Sequence, residues 1–161
     1  MSVKVGDRIP SSTLSYKDSN GVQTISTDDL FKAKKVVLVA VPGAFTPTCS
    51  NQHLPGFIRF ADEIKEKGVY TIAFISINDA FVMSAWGKDQ QVDDKILMLA
   101  DSDGAFTKAI GQEWDLSRLG LGVRSQRYAM IIEDGVVKSL EVDEPVEVAE
   151  VSNASRVLEK L

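Results

Sequence analysis

Residues 35–50, KVVLVAVPGAFTPTCS, decide how the rest of the chain is read. The apolar run from Val36 to Val41 is too short to span a bilayer and is bounded by lysine and proline, so it predicts a strand covered on both faces of a sheet. A stiff turn follows, and then a different period begins. Leu54, Phe57, Ile58, Ala61 and Ile64 recur at the spacing of an amphipathic helix that closes on KEKG, residues 65–68. Pro55 falls inside that pattern and predicts a kink or a tighter first turn, because proline has no N–H to donate. Between strand and helix stands Cys49, the only cysteine among 161 residues.

The same alternation continues outward. GVYTIAFISI (68–77) reads as a second buried strand, Asn78-Asp79 as a cap, AFVMSAWGK (80–88) as a short helix and KILMLA (95–100) as a third strand. DSDGAFTKAIGQ (101–112) reads as a capped helix, YAMIIEDGVVKSLEVD (128–143) as a hairpin around Asp134-Gly135, and SNASRVLEKL (152–161) as a closing helix. Upstream, Asn20-Gly21 marks a hairpin within the first thirty residues. The order is α/β. It predicts a thioredoxin-like fold with an N-terminal β-hairpin extension and a central mixed sheet flanked by helices, residues 1–161 forming a single domain without repeats or linkers.

Composition narrows the function. A 44% hydrophobic chain with 25% charged residues can bury a core without staples. The net charge of −5, with both signs interspersed, argues against nucleic acid or an anionic membrane as partner. A lone cysteine forms no internal disulfide, and the N-terminal residues lack the apolar core of a signal peptide, so a reducing, cytoplasmic location is expected. The C-terminal Glu-Lys-Leu is a poor match to the Ser-Lys-Leu peroxisomal address, since Glu159 occupies the small-residue position. One cysteine and one histidine are too few ligands for a zinc site, so no metal is expected.

The position of Cys49 carries chemistry. Ligands of open α/β sheets gather where strands end and helices begin. A free thiol is mostly protonated at neutral pH, and the thiolate is the species that attacks. Unpaired N–H groups and the dipole at a helix start favour the anion. Thr46 can cap the helix or turn its hydroxyl toward the sulfur or its substrate. Pro42 and Pro47 stiffen the loop, and Gly43 lets a small substrate approach the backbone. The bland alternative is a small buried hydrophobe among turn residues. His53, one turn beyond Cys49, is a conceivable catalytic base, but a cap or packing role suits it better.

PGAFTPTCS contains the P-x-x-x-T-x-x-C pattern of peroxiredoxins and resembles the type II, peroxiredoxin 5-like group. HLPGF (53–57), SINDAFVMSAWGK (76–88), GLGVRSQRYAMIIEDGVV (120–137) and the opening KVGDRIP are similar to that group in order and spacing, so the likeness covers nearly the whole chain. The resemblance implies that Cys49 is the peroxidatic cysteine, Thr46 its hydroxyl partner and Pro42 its shield from water. Composition does not choose among Arg59, Arg118, Arg124 and Arg127; the RSQRYAM match selects Arg127.

On that resemblance the protein is expected to reduce hydrogen peroxide and alkyl hydroperoxides through a cysteine sulfenic acid, without a cofactor. Gly43, Thr46, Cys49 and Arg127 would hold the substrate. Some relatives carry a resolving cysteine on the strand where this chain has Phe74, or near VSNAS (151–155), which contains none. A one-cysteine variant needs an external thiol, glutathione with or without glutaredoxin, or thioredoxin. The resemblance also implies a homodimer using apolar residues of AFVMSAW (80–86). A peroxide sensor that passes its oxidation to a partner protein is the alternative function.

Overall fold

The computed structural model of the protein describes residues 2–144 and 148–161. Strand β3, Lys35–Ala40, lies in the interior of the sheet. Side chains alternate along a strand, and both of its faces are covered here. Val37 and Val39 join one core with Phe57 and Trp86, whereas Val36, Leu38 and Ala40 join the other with Phe31 and Phe106. This is why the run has no polar position.

Among the described residues the strands in chain order are β1 Thr13–Asp18, β2 Gly21–Ser26, β3, β4 Thr71–Ser76, β5 Leu97–Ala100, β6 Glu113–Asp115, β7 Val123–Ser125, β8 Tyr128–Glu133 and β9 Val136–Val142. Seven of them form one mixed sheet in the order β2-β1-β5-β4-β3-β8-β9. β4 runs parallel to β3, with Leu38 opposite Ala73; β8 runs antiparallel, with Leu38 opposite Met130. The helices are α1 Thr27–Phe31, α2 Leu54–Glu66, α3 Ala80–Asp89, α4 Ala105–Ala109 and α5 Ala154–Glu159. α2, α3 and α5 supply Leu54, Phe57, Met83, Trp86 and Val157 to one core. α1 and α4 supply Leu30, Phe31 and Phe106 to the other. The arrangement is the thioredoxin-like sheet with flanking helices that the element order predicts, and the β1–β2 hairpin extends it at one edge.

Three local features differ from the sequence reading. The turn before Pro55 is wider than an α-turn, not tighter: Cys49–His53 is π-helical and the Leu54 N–H reaches back to the Cys49 carbonyl. Pro55 has no N–H for the carbonyl four residues back, and its ring presses on it, so the preceding turn expands. The helix expected over 101–112 contracts to α4. Asp101 stays outside it and caps its start, accepting bonds from the first-turn Phe106 and Thr107 N–H groups and the Thr107 hydroxyl. Finally, β6 and β7 form a separate two-stranded ribbon that no sequence pattern signalled. The β8–β9 turn follows its sequence, with Asp134 and Gly135 at φ 49° and 78°, the positive pair that a two-residue hairpin needs.

Candidate active site

Cys49 lies in the first turns of the helix that leaves β3. The Ser50 N–H bonds the Thr46 carbonyl, so helical turns begin at Pro47, where a missing N–H costs nothing. Cys49 is completely buried. Two donors nevertheless converge on its sulfur: Arg127 Nη2 at 3.1 Å and the Thr46 hydroxyl at 2.8 Å. The Thr46 hydroxyl turns toward the sulfur, the second of the two roles open to it. The same oxygen lies 2.7 Å from the Gly43 carbonyl, and its single proton serves one of these acceptors at a time.

Distant residues hold the loop in place. The Pro42 carbonyl accepts a bond from Arg124 Nη1 at 3.2 Å, and the Ala44 N–H donates to Asn78 Oδ1 at 3.0 Å. Asn78 is therefore an anchor for the loop. The helix cap next to it is Asp79 alone, which accepts from the Val82 N–H. A Cβ on Gly43 would stand 2.9 Å from Arg124 Nη1 and 3.2 Å from Thr46 Cγ2, so glycine makes room for these neighbours. Across the helix, Trp86 Nε1 donates to Ser50 Oγ at 3.0 Å and ties α3 to the turn that carries the cysteine. Phe45, at φ 66°, holds a backbone conformation that non-glycine residues rarely adopt.

Arg127 precedes β8 and is buried. Its Nη1 meets His53 Nδ1 at 2.8 Å. Guanidinium only donates, so Nδ1 accepts and the imidazole proton sits on Nε2. Nε2–H then donates to the Ser152 carbonyl at 3.0 Å. Ser152 Oγ lies 3.2 Å from the same nitrogen and donates to Asp143, whose other oxygen accepts from the Glu150 and Val151 N–H groups. Burial, with Arg127 adding to it, pushes His53 down from 6.5 to about 3, so the ring is neutral at physiological pH.

The structure brings Pro42, Gly43, Thr46, Cys49 and Arg127 into one site. Of the other arginines, Arg59 stands over the Phe60 ring and Arg118 sits in a short turn, whereas Arg124 borders the site and braces the Pro42 carbonyl. His53, Ser152 and Asp143 join the site through Arg127, and the sequence reading gave none of them that part. Phe74, where relatives carry a second cysteine, is fully buried against His53, Phe57 and Trp86. Within AFVMSAW, Ala80, Met83 and Trp86 point into the core, and Phe81 is the large apolar residue exposed. Among the described residues no helix is long and apolar enough to cross a membrane, and no group of three potential metal ligands occurs.

A family model described as Redoxin matches residues 4–158. Peroxiredoxin-2E, chloroplastic, of Arabidopsis thaliana is 52% identical over 147 residues; the match takes in 89% of this chain, which spans only 63% of that relative's length. Peroxiredoxin-2B of the same plant is 46% identical over 99% of this chain and 98% of its own. Among solved structures, reduced Prx3 from Vibrio vulnificus in complex with hydrogen peroxide superposes with a TM-score of 0.93 at 54% identity, covering 98% of each chain. With the single thiol held between Thr46 and Arg127, these likenesses establish that the chain belongs to the redoxin family and, within it, to the peroxiredoxins.

Proposed function

We propose that the protein is a thiol-dependent peroxidase in which Cys49 reduces hydrogen peroxide or an alkyl hydroperoxide. The observation that carries this reading is the convergence of Arg127 Nη2 and the Thr46 hydroxyl on one buried sulfur. Both donors favour negative charge there. The thiolate attacks one peroxide oxygen and the O–O bond breaks. The departing oxygen takes the electron pair, gains a proton and leaves as water or alcohol, while Cys49 becomes a sulfenic acid. Arg127 stabilises the charge on the departing oxygen, Thr46 orients the pair of oxygens, Pro42 keeps water away, and the Gly43 backbone borders the substrate. A fully buried sulfur admits a small oxidant first.

Recycling requires a thiol from outside, because Cys49 has no cysteine partner in the chain. One thiol condenses with the sulfenic acid, releasing water and leaving a mixed disulfide; a second thiol attacks that disulfide and restores Cys49. Glutathione, with or without glutaredoxin, is the first candidate and thioredoxin the second. A tripeptide thiol reaches the buried sulfur only when the turn around it moves. The need for a reducing partner also supports a reducing compartment such as the cytosol. A homodimer is supported by the exposed apolar residues Phe45, Phe81, Leu119 and Val123.

Stopped-flow mixing with peroxide, read through Trp86 and Trp114 fluorescence with Cys49→Ser as the blank, tests the first half-reaction. Steady-state peroxide consumption with each thiol tests the second. Fast oxidation with turnover supports the peroxidase. Oxidation that small thiols do not reverse, but a partner protein does, would make it a sensor.

A further inference from the structure

We propose that His53 is a positioning residue for the peroxide reaction: the lone pair of its Nδ1 holds the Arg127 guanidinium so that Nη2 faces Cys49 Sγ. The inference deepens the peroxidase reading and rests on it. The geometry is that of a planar fork gripped at one tine. Nη1 is 2.8 Å from Nδ1, and Nη2, fixed in the same plane, is 3.1 Å from the sulfur. All three side chains are buried, so water does not substitute for a lost partner.

The imidazole is itself held by the far end of the chain. A ring able to flip or change tautomer would offer Arg127 an N–H instead of a lone pair, and two donors would then oppose each other. That exchange is opposed twice here. The Ser152 carbonyl accepts from Nε2, which keeps the proton on that nitrogen, and Asp143 fixes the Ser152 hydroxyl. A tilted contact with Phe57 and an edge contact with Phe74, at centroid distances of 5.7 and 5.6 Å, hold the ring plane. Cys49 and His53 also bound the π-helical turn, so that turn sets the spacing of the two groups that the guanidinium joins.

Two substitutions separate the nitrogens. Asparagine places an acceptor near the position of Nδ1, and glutamine places a donor near that of Nε2. His53→Asn is expected to keep the rate of peroxide oxidation within about threefold of the parent, and His53→Gln to lose about tenfold or more. Both lose a buried hydrogen bond and melt earlier, so melting alone does not rank them. Equal rates in the two variants, whether both high or both low, overturn the proposal. A parent protein inert toward peroxide would overturn the peroxidase reading instead. The chain has one histidine, so 15N NMR of the unaltered protein gives an independent answer. A proton on Nε2 with an unprotonated Nδ1 at neutral pH is expected, and a proton on Nδ1 refutes the proposal even if neither variant folds.

Discussion

Arg127 Nη2 donates to Cys49 Sγ across 3.1 Å, although 78 residues separate the two in sequence. A guanidinium is suited to this place because its rigid fork reaches the sulfur and His53 at once. An ammonium is one point of charge and cannot span both.

Arg127→Gln is therefore expected to slow Cys49 oxidation by about 100-fold, and Arg127→Lys by about tenfold, with the fold retained. Stopped-flow rates at one pH, with circular dichroism to confirm the fold, check the order. Parent-like rates for the lysine variant would show that charge alone suffices.

The Thr46 hydroxyl has the sulfur at 2.8 Å and the Gly43 carbonyl at 2.7 Å. Thr46→Val removes the hydroxyl while keeping the branched shape, and a fall of about tenfold to 100-fold in the oxidation rate is expected. Thr46→Ser keeps the hydroxyl, and its rate stays within a few-fold of the parent. The difference between the two isolates the hydroxyl from the packing of Cγ2.

Gly43→Ala would place a Cβ 2.9 Å from Arg124 Nη1. The arginine is the movable partner, and its bond to the Pro42 carbonyl is expected to break, slowing peroxide reduction several-fold. In an Arg124→Ala background the same glycine change should cost much less. A double-mutant cycle of oxidation rates measures the coupling, and strict additivity would mean that the two residues act separately.

Stability carries the signature of a buried neutral imidazole. An unfolded histidine takes up a proton near 6.5, whereas His53 in the folded chain does so only at about 3. Between those values the unfolded state binds more protons. The contribution of His53 is thus complete above pH 6.5 and is lost as pH falls toward 3, with a slope approaching ~1.4 kcal/mol per pH unit. Because the chain has one histidine, the part from pH 6.5 to 5, above the carboxylate range, belongs to this ring. Urea unfolding across that window should show the slope in the parent and a flat profile in His53→Asn.

What could be read from the sequence was local. The unbroken run Val36–Val41 named a central strand because each face of β3 buries alternate residues. Thr46 and Cys49 lie three residues apart at a helix start, and that spacing is enough to bring hydroxyl and sulfur together. Arg127 was picked by family likeness, since no period or spacing ties it to the cysteine. The His53–Arg127 and His53–Ser152 bonds span 74 and 99 residues, distances over which pattern carries no signal. The π-turn was missed for another reason: one widened turn leaves the apolar spacing of α2 almost unchanged. β6 and β7 have three residues each, too few for alternation to stand out.

Arg127 has the same parity as Ala129 and Ile131, which pack in the core that contains Cys49, while Tyr128, Met130 and Ile132 belong to the opposite one. Slipping β8 by a single residue against β3 would swap those sets and carry the arginine to the wrong side of the sheet. Length changes at the Asp134-Gly135 tip leave that parity untouched, whereas one residue gained or lost between 127 and 133 reverses it. The environment of the thiol is thus written partly in odd and even numbers, and an indel within β8 could strip the sulfur of its cation.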